Sequence, residues 1–241
     1  RPRTLRDVYV REDLWDSSPE LIASARAATR WVHPVSQAVS AALSSDAQGV
    51  CAVASLDALH RELPGAEVGE TLVVIAQGRD PGNVGTIIRT ADAFGARAVI
   101  AVAGTVDAAS PKVVRSSAGS VFHLPVCLVP SFAEARDLIH GRGAALLGTS
   151  GGSGSLDLAD LLVEGISSRS RLSQSHAWAF GNEARGLSAE EMRACDGLVA
   201  IPMTGRAESL NVASAAATCL FASQTVRGRT PSRPRVGGLR D

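Results

Sequence analysis

The chain has 241 residues, 24 basic and 24 acidic side chains, and a hydrophobic fraction of 45%. A chain of this length and composition can bury a sizeable core, as one large domain or as a domain with a small appendage. It contains no run of eighteen apolar residues and no charged-then-apolar signal segment, so neither a membrane span nor secretion is indicated. The four cysteines are far apart and form no CxxC pair, which argues against a metal knuckle or a disulfide framework and favours a reducing cytoplasm.

The distribution of charge is more informative than its sum of zero. Lys112 is the only lysine among the 24 basic residues, and arginine is the side chain that grips phosphate with a planar, two-pronged fork. No acidic residue lies between Ser209 and Arg240, while arginines recur along the Pro/Gly-rich tail over residues 228–241. This tail is interpreted either as a solvated terminus or as an arm that contacts RNA, because basic tails serve both purposes.

Residues 1–55 differ in pattern from the rest of the chain. TLRDVYV predicts a strand, SPELIASARAAT and HPVSQAVSAAL each predict a helix, and SDAQGVCAVAS supplies a last strand. We expect a small α/β domain here, incomplete at its N-terminus because the chain begins at Arg1 rather than at methionine. The stretch LDALHRELPGAEVGE, residues 56–70, predicts a short helix and a linker.

From residue 71 to residue 227, short apolar runs alternate with segments of helical pattern. Strands are predicted at 71–77, 97–102, 125–129, 144–149, 177–181 and 198–202. Helices are predicted at 83–94, 110–117, 131–140, 156–163, 188–194 and 210–226. Strands that are apolar on both faces and separated by helices indicate a mainly parallel, doubly wound α/β sheet. Ligands of such sheets bind at the carboxyl ends of the strands.

Two common nucleotide-binding motifs are absent. A Walker loop needs Gly-Lys-Ser/Thr, and the sole lysine lies in SPKVV. A Rossmann fingerprint needs GxGxxG after the first strand, whereas QGRDPGNVGTIIR supplies only Gly82 and Gly85. The five histidines show no metal-ligand spacing, so no metal site is predicted.

The first of three polar loops is RDPGNVGTIIRTADAFGA. Asn83 stands at a predicted helix N-cap, and a cap alone would explain it. Arg89 follows six residues later, among the apolar residues Ile87, Ile88 and Ala91, and a guanidinium in such a setting needs a partner. We therefore favour a functional interpretation of Arg89.

The second and third polar loops also follow predicted strands. In FGNEARGLSAEEM, Ser188 and Glu191 are explained by a helix cap and its capping box, whereas Asn182 and Glu183 are not. In IPMTGRAESLNVASAAAT, a cap on the last helix explains Ser209 or Asn211 but not both.

Taken together, the three loops resemble the SpoU or TrmH family of RNA ribose methyltransferases within the SPOUT superfamily. The match is to three family motifs in order: NVGTIIRTADAFGA, FGNEARGLS and IPMTGRAESLNVASAAAT. The resemblance implies 2′-O-methylation of an RNA ribose, most simply in 23S ribosomal RNA, with S-adenosylmethionine as the methyl donor. It also implies a cytoplasmic homodimer that acts on RNA, not on DNA or membranes, with its active site at the subunit interface.

The resemblance further implies how the chain is divided. The methyltransferase domain, residues 71–227, is expected to carry a C-terminal trefoil knot, which composition alone would not suggest because knots are essentially absent from folds. The preceding α/β domain, residues 1–55, resembles the small substrate-binding domain of family members that act on ribosomal RNA. Two other readings stay open: a methyltransferase that acts on transfer RNA, and a catalytically silent member that binds RNA.

Site residues also follow from the resemblance. The methyl donor is expected to lie against main chain and small side chains at Thr149, Ser150, Gly151, Phe180, Gly181, Asn182, Gly186, Ile201, Pro202, Met203, Ser209, Leu210 and Ala213. The catalytic group is expected to be Arg89, oriented together with the ribose by Asn83, Glu183, Ser209 and Asn211. Because a guanidinium stays protonated, we expect Arg89 to clamp a phosphate and stabilise the developing alkoxide instead of acting as the base.

Overall fold

The structure, a computed structural model, describes residues 4–44, 47–152, 154–166 and 171–228. The chain forms two compact units, Arg1–Ala58 and Leu59–Asp241. The predicted linker 56–70 therefore lies mostly within the second unit. In that unit Arg142 donates to the carbonyl oxygen of Pro64 at 2.9 Å and forms a two-pronged ion pair with the buried Glu70.

The smaller unit is a three-stranded sheet with helices. Its elements are β1 (Leu5–Arg11), α1 (Glu12–Ser17), α2 (Pro19–Ala28), β2 (Trp31–Val35), α3 (Gln37–Leu43) and β3 (Val50–Ala54). The central strand β1 pairs in parallel with β2 and antiparallel with β3. Its core consists of Val8 and Val10 of β1 packed against Ile22 and Ala25 of α2.

The sequence prediction for this unit was wrong at two points. The helix predicted over residues 33–43 begins only at Gln37, because Ser36 caps it by accepting from the Val39 amide, and residues 31–35 form β2. An extended conformation at His33 agrees with its position before Pro34, since a residue before proline avoids the helical region. The short helix α1 was not predicted.

The larger unit contains a seven-stranded sheet in the order β6-β5-β4-β9-β7-β10-β8, and neighbouring strands pair in parallel. Its strands are β4 (Thr71–Ile75), β5 (Val99–Val102), β6 (Val126–Val129), β7 (Ala145–Thr149), β8 (Leu156–Asp157), β9 (His176–Phe180) and β10 (Gly197–Ala200). Its helices are α4 (Pro81–Ala93), α5 (Pro111–Ser116), α6 (Phe132–Gly141), α7 (Leu158–Ile166), α8 (Ala189–Ala194) and α9 (Val212–Arg227). The mainly parallel sheet is confirmed; β8 was predicted as the start of a helix.

Helices cover both faces of this sheet, which explains its uniformly apolar strands. In β4, Val73 and Ile75 belong to a cluster that includes residues of α4 and α9, while Leu72 and Val74 belong to a second cluster that includes residues of α6. Successive residues of a strand point to opposite faces, so both sets must be apolar when both faces are covered. No helix of the described residues is long and apolar enough to cross a membrane.

A buried polar group joins the sheet to α9. His176, fully buried at the start of β9, donates from Nδ1 to the carbonyl oxygen of Gln174 at 2.8 Å. Its Nε2 then accepts from the hydroxyl of Ser223 at 2.7 Å, and this hydroxyl oxygen also accepts from Trp178 Nε1 at 2.8 Å. Burial lowers the pKa of His176 from 6.5 to about 4, because the charged ring would lose its hydration.

We expect this histidine to make the protein less stable as pH falls from about 6.5 to about 4. In this interval the unfolded chain binds a proton at His176 that the folded protein does not, so the free energy of unfolding decreases by up to about 3 kcal/mol. Urea unfolding at several pH values measures the slope. In His176→Gln, whose amide keeps a donor and an acceptor, the slope should be shallower; an unchanged slope would contradict the assignment.

Candidate functional site

A cavity of about 410 Å³ lies at the carboxyl ends of β7, β9 and β10, where a doubly wound sheet is expected to bind its ligand. Three segments form most of it: residues 149–151 at the end of β7, residues 181–187 after β9, and residues from 201 to the first turn of α9 after β10. These segments contain the second and third polar loops of the sequence.

Most residues predicted to hold the methyl donor line this cavity. Those that do are Thr149, Ser150, Gly151, Gly181, Asn182, Gly186, Ile201, Met203, Ser209 and Leu210. Three others do not line it: the Phe180 side chain is fully buried in the core, Ala213 is buried on α9, and Pro202 is exposed between two lining residues.

Apolar lining residues were missed by the sequence analysis. They are Leu187, Met192, Val199, Val212 and Ala215. Val212 and Ala215 are three residues apart on α9 and therefore share a face, a spacing that was available in the sequence. Met192 on α8 carried no comparable signal.

The loop after β9 is closed by its own backbone. Asn182 and Gly186 exchange two hydrogen bonds, of 3.0 and 2.7 Å, and Gly186 has a φ of +66°, which favours glycine. The side chain of Asn182 is also engaged: Oδ1 accepts from the Ala184 amide at 3.0 Å, and Nδ2 donates to the carbonyl oxygen of Gln77 at 3.1 Å. Asn182 therefore shapes the cavity wall.

Glu183 holds the beginning of α4. Its carboxylate accepts from the backbone amides of Asp80 at 3.2 Å and Arg79 at 3.4 Å. The family resemblance implies that Glu183 orients Arg89, but in the structure the hydrogen bonds of Glu183 go to the turn before α4. Glu183, in the second motif, therefore holds the turn that directly precedes the first motif.

Asn83 and Asn211 join the first and third motifs. Asn211 is the N-cap of α9: its Oδ1 accepts from the amides of Ala213 and Ser214, so its Nδ2 is available to donate to Asn83 Oδ1 at 3.0 Å. The predicted cap at Asn83 was wrong. Asp80 is the N-cap of α4, and it accepts from the Asn83 amide at 2.8 Å.

Arg89 lies apart from these groups. Its side chain is exposed on α4, and it has no hydrogen bond or ion pair among the described residues. The apolar setting predicted for it was wrong, because Ile87, Ile88 and Ala91 point to the buried side of the helix. Six residues of helix separate Arg89 from Asn83 by about 9 Å along the axis and about 120° around it. Among the described residues of one chain, Arg89 makes no hydrogen bond or ion pair with Glu183, Ser209 or Asn211.

Among the residues that the structure describes, no group of three His, Cys, Asp or Glu side chains has the arrangement of a metal site.

The sequence model of the SpoU rRNA Methylase family matches residues 70–221, which include the whole cavity. This chain belongs to the SpoU rRNA methylase family.

Two curated relatives illustrate the range of the family. A 23S rRNA (uridine(2479)-2′-O)-methyltransferase of Streptomyces viridochromogenes is 41% identical over 161 residues. That match covers 64% of this chain and 53% of the relative, so this chain matches about half of the relative's length. A 23S rRNA (guanosine-2′-O-)-methyltransferase RlmB of Bordetella pertussis is 33% identical over 229 residues, which cover 92% of this chain and 89% of the relative.

Solved structures of the family are similar to this chain. The SpoU methyltransferase AviRb of Streptomyces viridochromogenes, in complex with AdoMet, has a TM-score of 0.73 and 31% identity and covers 95% of this chain and 84% of its own. Another similar structure, which concerns the 2-OH methylation of C/U34 on tRNA, has a TM-score of 0.56 and 29% identity with this chain. It covers 99% of its own chain but only 67% of this one, which leaves a third of this SpoU chain without a counterpart.

Proposed function

We propose that this protein transfers the methyl group of S-adenosylmethionine to a ribose 2′-hydroxyl of 23S ribosomal RNA. The observation that carries the proposal is the cavity lined by the second and third family motifs, in a fold similar to methyltransferases solved with AdoMet. RNA rather than DNA follows from the acceptor, because only RNA has the 2′-hydroxyl. Ribosomal RNA is favoured over transfer RNA because the similar tRNA-modifying structure covers only two thirds of this chain.

The cavity suits the methyl donor in its size and its walls. Its volume of about 410 Å³ falls in the range of small-molecule sites, and Leu187, Ile201 and Val212 offer apolar surface to an adenine ring. Gly151 and Gly181 add wall without side chains, so backbone amides and carbonyls can contact the ligand directly. When bound, the donor supplies an electrophilic sulfonium methyl group.

Transfer forms an oxygen–carbon bond at the ribose as the sulfur–carbon bond breaks, and the hydroxyl proton must leave. We assign the orientation of the ribose to Ser209, which lines the cavity, and to Asn83, which accepts from Asn211. Because guanidinium groups do not act as bases, we assign Arg89 to the adjacent phosphate and the developing alkoxide, with a phosphate oxygen or water accepting the hydroxyl proton. Orientation and charge stabilisation together make a poor nucleophile reactive.

The protein is proposed to be a homodimer in which Arg89 of the other copy reaches the RNA at the mouth of the donor cavity and completes the active site without lining the cavity itself. Arg89 is exposed and unpaired among the described residues, as a group that acts in a second subunit would be. The helix α9 packs on α4, and Phe221 of α9 is 53% exposed and in edge-to-face contact with Phe94, the C-cap residue of α4. Aromatic residues and arginine are both enriched at protein interfaces. Sedimentation of the purified chain tests for the dimer.

The trefoil knot and the role of the smaller unit are also proposals. In the sheet β9 lies between β4 and β7, β10 lies between β7 and β8, and the segment after β10 lies against the loops at 149–151 and 181–187. This arrangement supports threading of the C-terminal segment, which an experimental tracing of residues 149–211 would test.

The three-stranded unit is proposed to bind ribosomal RNA in the cytoplasm. The basic tail proposed as an alternative RNA contact lies outside the described residues, apart from Gly228.

The decisive experiment incubates the protein with methyl-labelled S-adenosylmethionine and separate pools of 23S rRNA, 16S rRNA and tRNA. Reverse-transcription stops at low nucleotide concentration then locate the ribose. We expect label in 23S rRNA alone. Label in tRNA alone would show that the substrate is tRNA and not 23S rRNA. If calorimetry detects no binding of S-adenosylmethionine, the protein would be a catalytically silent, RNA-binding member of the family.

A further inference from the structure

The turn between β4 and α4 contains a residue in a rarely used conformation. Gln77 has a φ of +56°, in the left-handed region that side chains with a β-carbon seldom adopt. Ala118, with a φ of +49°, is the other non-glycine residue with positive φ among the described residues. A residue held in this region is retained only where its surroundings determine it, and such residues cluster at functional sites.

Both polar parts of Gln77 contact the loop after β9. Its carbonyl oxygen accepts from Asn182 Nδ2 at 3.1 Å, and its side-chain oxygen accepts from Arg185 Nη2 at 3.3 Å. Asn182 and Arg185 both line the donor cavity. The left-handed backbone therefore lets one residue present two acceptors to the cavity wall.

On the side that faces β4 and the turn after it, this loop is held by hydrogen bonds at two places: Gln77, and the amides of Arg79 and Asp80, which donate to Glu183. A second cavity of about 170 Å³ lies there, lined by Gln77, Asn182, Arg185 and Gly186 among others. The loop over residues 182–186 thus separates two cavities instead of packing on a close-packed core. Its position depends on a few hydrogen bonds, and Gln77 accepts two of them.

We propose that Gln77 is a positioning residue for methyl-donor binding, which fixes the wall made by residues 182–186 through Asn182 and Arg185. This proposal rests on the proposed function. It assigns to Gln77 an effect on donor affinity and none on the transfer step, because Gln77 lines only the smaller cavity.

The test measures the dissociation constant of S-adenosylmethionine by calorimetry, together with KM and kcat for the donor. Gln77→Val should raise both the dissociation constant and KM about tenfold, because a β-branched residue leaves the left-handed region and withdraws both acceptors. Gln77→Gly keeps the backbone conformation and the carbonyl contact, so it should raise them only about threefold. At saturating donor, kcat should stay within about twofold of wild type for both variants.

Ala118→Val is the matched control, since it places the same side chain at the other left-handed non-glycine position, outside both cavities. It should lower the melting temperature while leaving donor affinity unchanged. The proposal is overturned if Gln77→Val binds the donor as wild type does, if Ala118→Val weakens binding equally, or if kcat falls while KM is unchanged.

A double-mutant cycle with Arg185→Ala tests the contact itself. If Gln77 acts through Arg185, then Gln77→Gly and Arg185→Ala together should weaken binding no more than Arg185→Ala alone. Independent, multiplying effects would contradict the assigned route. Wild-type protein that fails to bind the donor would overturn the proposed function instead, so the two failures are distinguishable.

Discussion

Replacing Arg89 with lysine is expected to lower kcat at least about a hundredfold while leaving donor affinity within about twofold of wild type. Lysine keeps the positive charge but cannot reproduce the planar fork that holds a phosphate and an alkoxide together. Donor affinity should persist because Arg89 does not line the cavity. Single-turnover methylation of 23S rRNA and calorimetry with S-adenosylmethionine measure the two quantities.

Arg136→Lys is a suitable control, because Arg136 is also a surface arginine on a helix, α6, and lies outside the cavity. It should methylate at the wild-type rate. If Arg89→Lys turns over at nearly the wild-type rate, the proposed role of the Arg89 guanidinium in methyl transfer is wrong. Equal losses in both variants would point to a general effect of surface charge on RNA binding.

Mixed dimers decide whether Arg89 acts in its own chain or in the other copy. Chains with Arg89→Ala are combined with chains whose cavity is disabled by Gly181→Ala. If Arg89 acts across the interface, random exchange should restore about a quarter of wild-type activity, since half of the dimers are mixed and each has one intact site. If subunit exchange is verified and no methyltransferase activity returns, Arg89 acts in the site of its own chain.

Much of the larger unit could be predicted because its strands are mostly apolar and the central ones, β4, β5 and β9, are buried on both faces. The six predicted strands there correspond to β4, β5, β6, β7, β9 and β10, with ends that differ by at most two residues. The errors lie where the local signal is short. The strand β8 has only two residues, and β2 contains Pro34 within a pattern that also fits a helix.

The sequence predicts in outline which loops line the cavity, because motif loops that follow parallel strands meet at one edge of the sheet; that this cavity binds the donor stays a proposal. Detailed contacts could not, since they depend on distances across the fold. Glu183 contacts a turn about one hundred residues earlier in the chain, and nothing in its own loop indicates this. The conformation of Gln77 is also invisible in the sequence, where glutamine is not a residue typical of left-handed backbone.

Replacing Gly181 with alanine is expected to weaken S-adenosylmethionine binding at least about a hundredfold, equivalent to about 3 kcal/mol. A β-carbon at Gly181 would stand 2.0 Å from the carbonyl carbon of Gly186 and 2.2 Å from the amide nitrogen of Leu187. Both neighbours are backbone atoms, so the added methyl group must force the loop after β9 open. Since this loop is one wall of the cavity, the donor loses its contacts there.

Two other glycines of the same cavity separate crowding from backbone strain. Gly151→Ala meets no atom within 4 Å and should bind the donor within about threefold of wild type. Gly186→Ala also meets open space, but its φ of +66° makes alanine costly, so an intermediate loss is expected. Calorimetry gives the three affinities, and circular dichroism verifies that each variant folds. A folded Gly181→Ala that binds as tightly as Gly151→Ala would show that the donor does not depend on this wall, because crowding at Gly181 has no other route to the ligand.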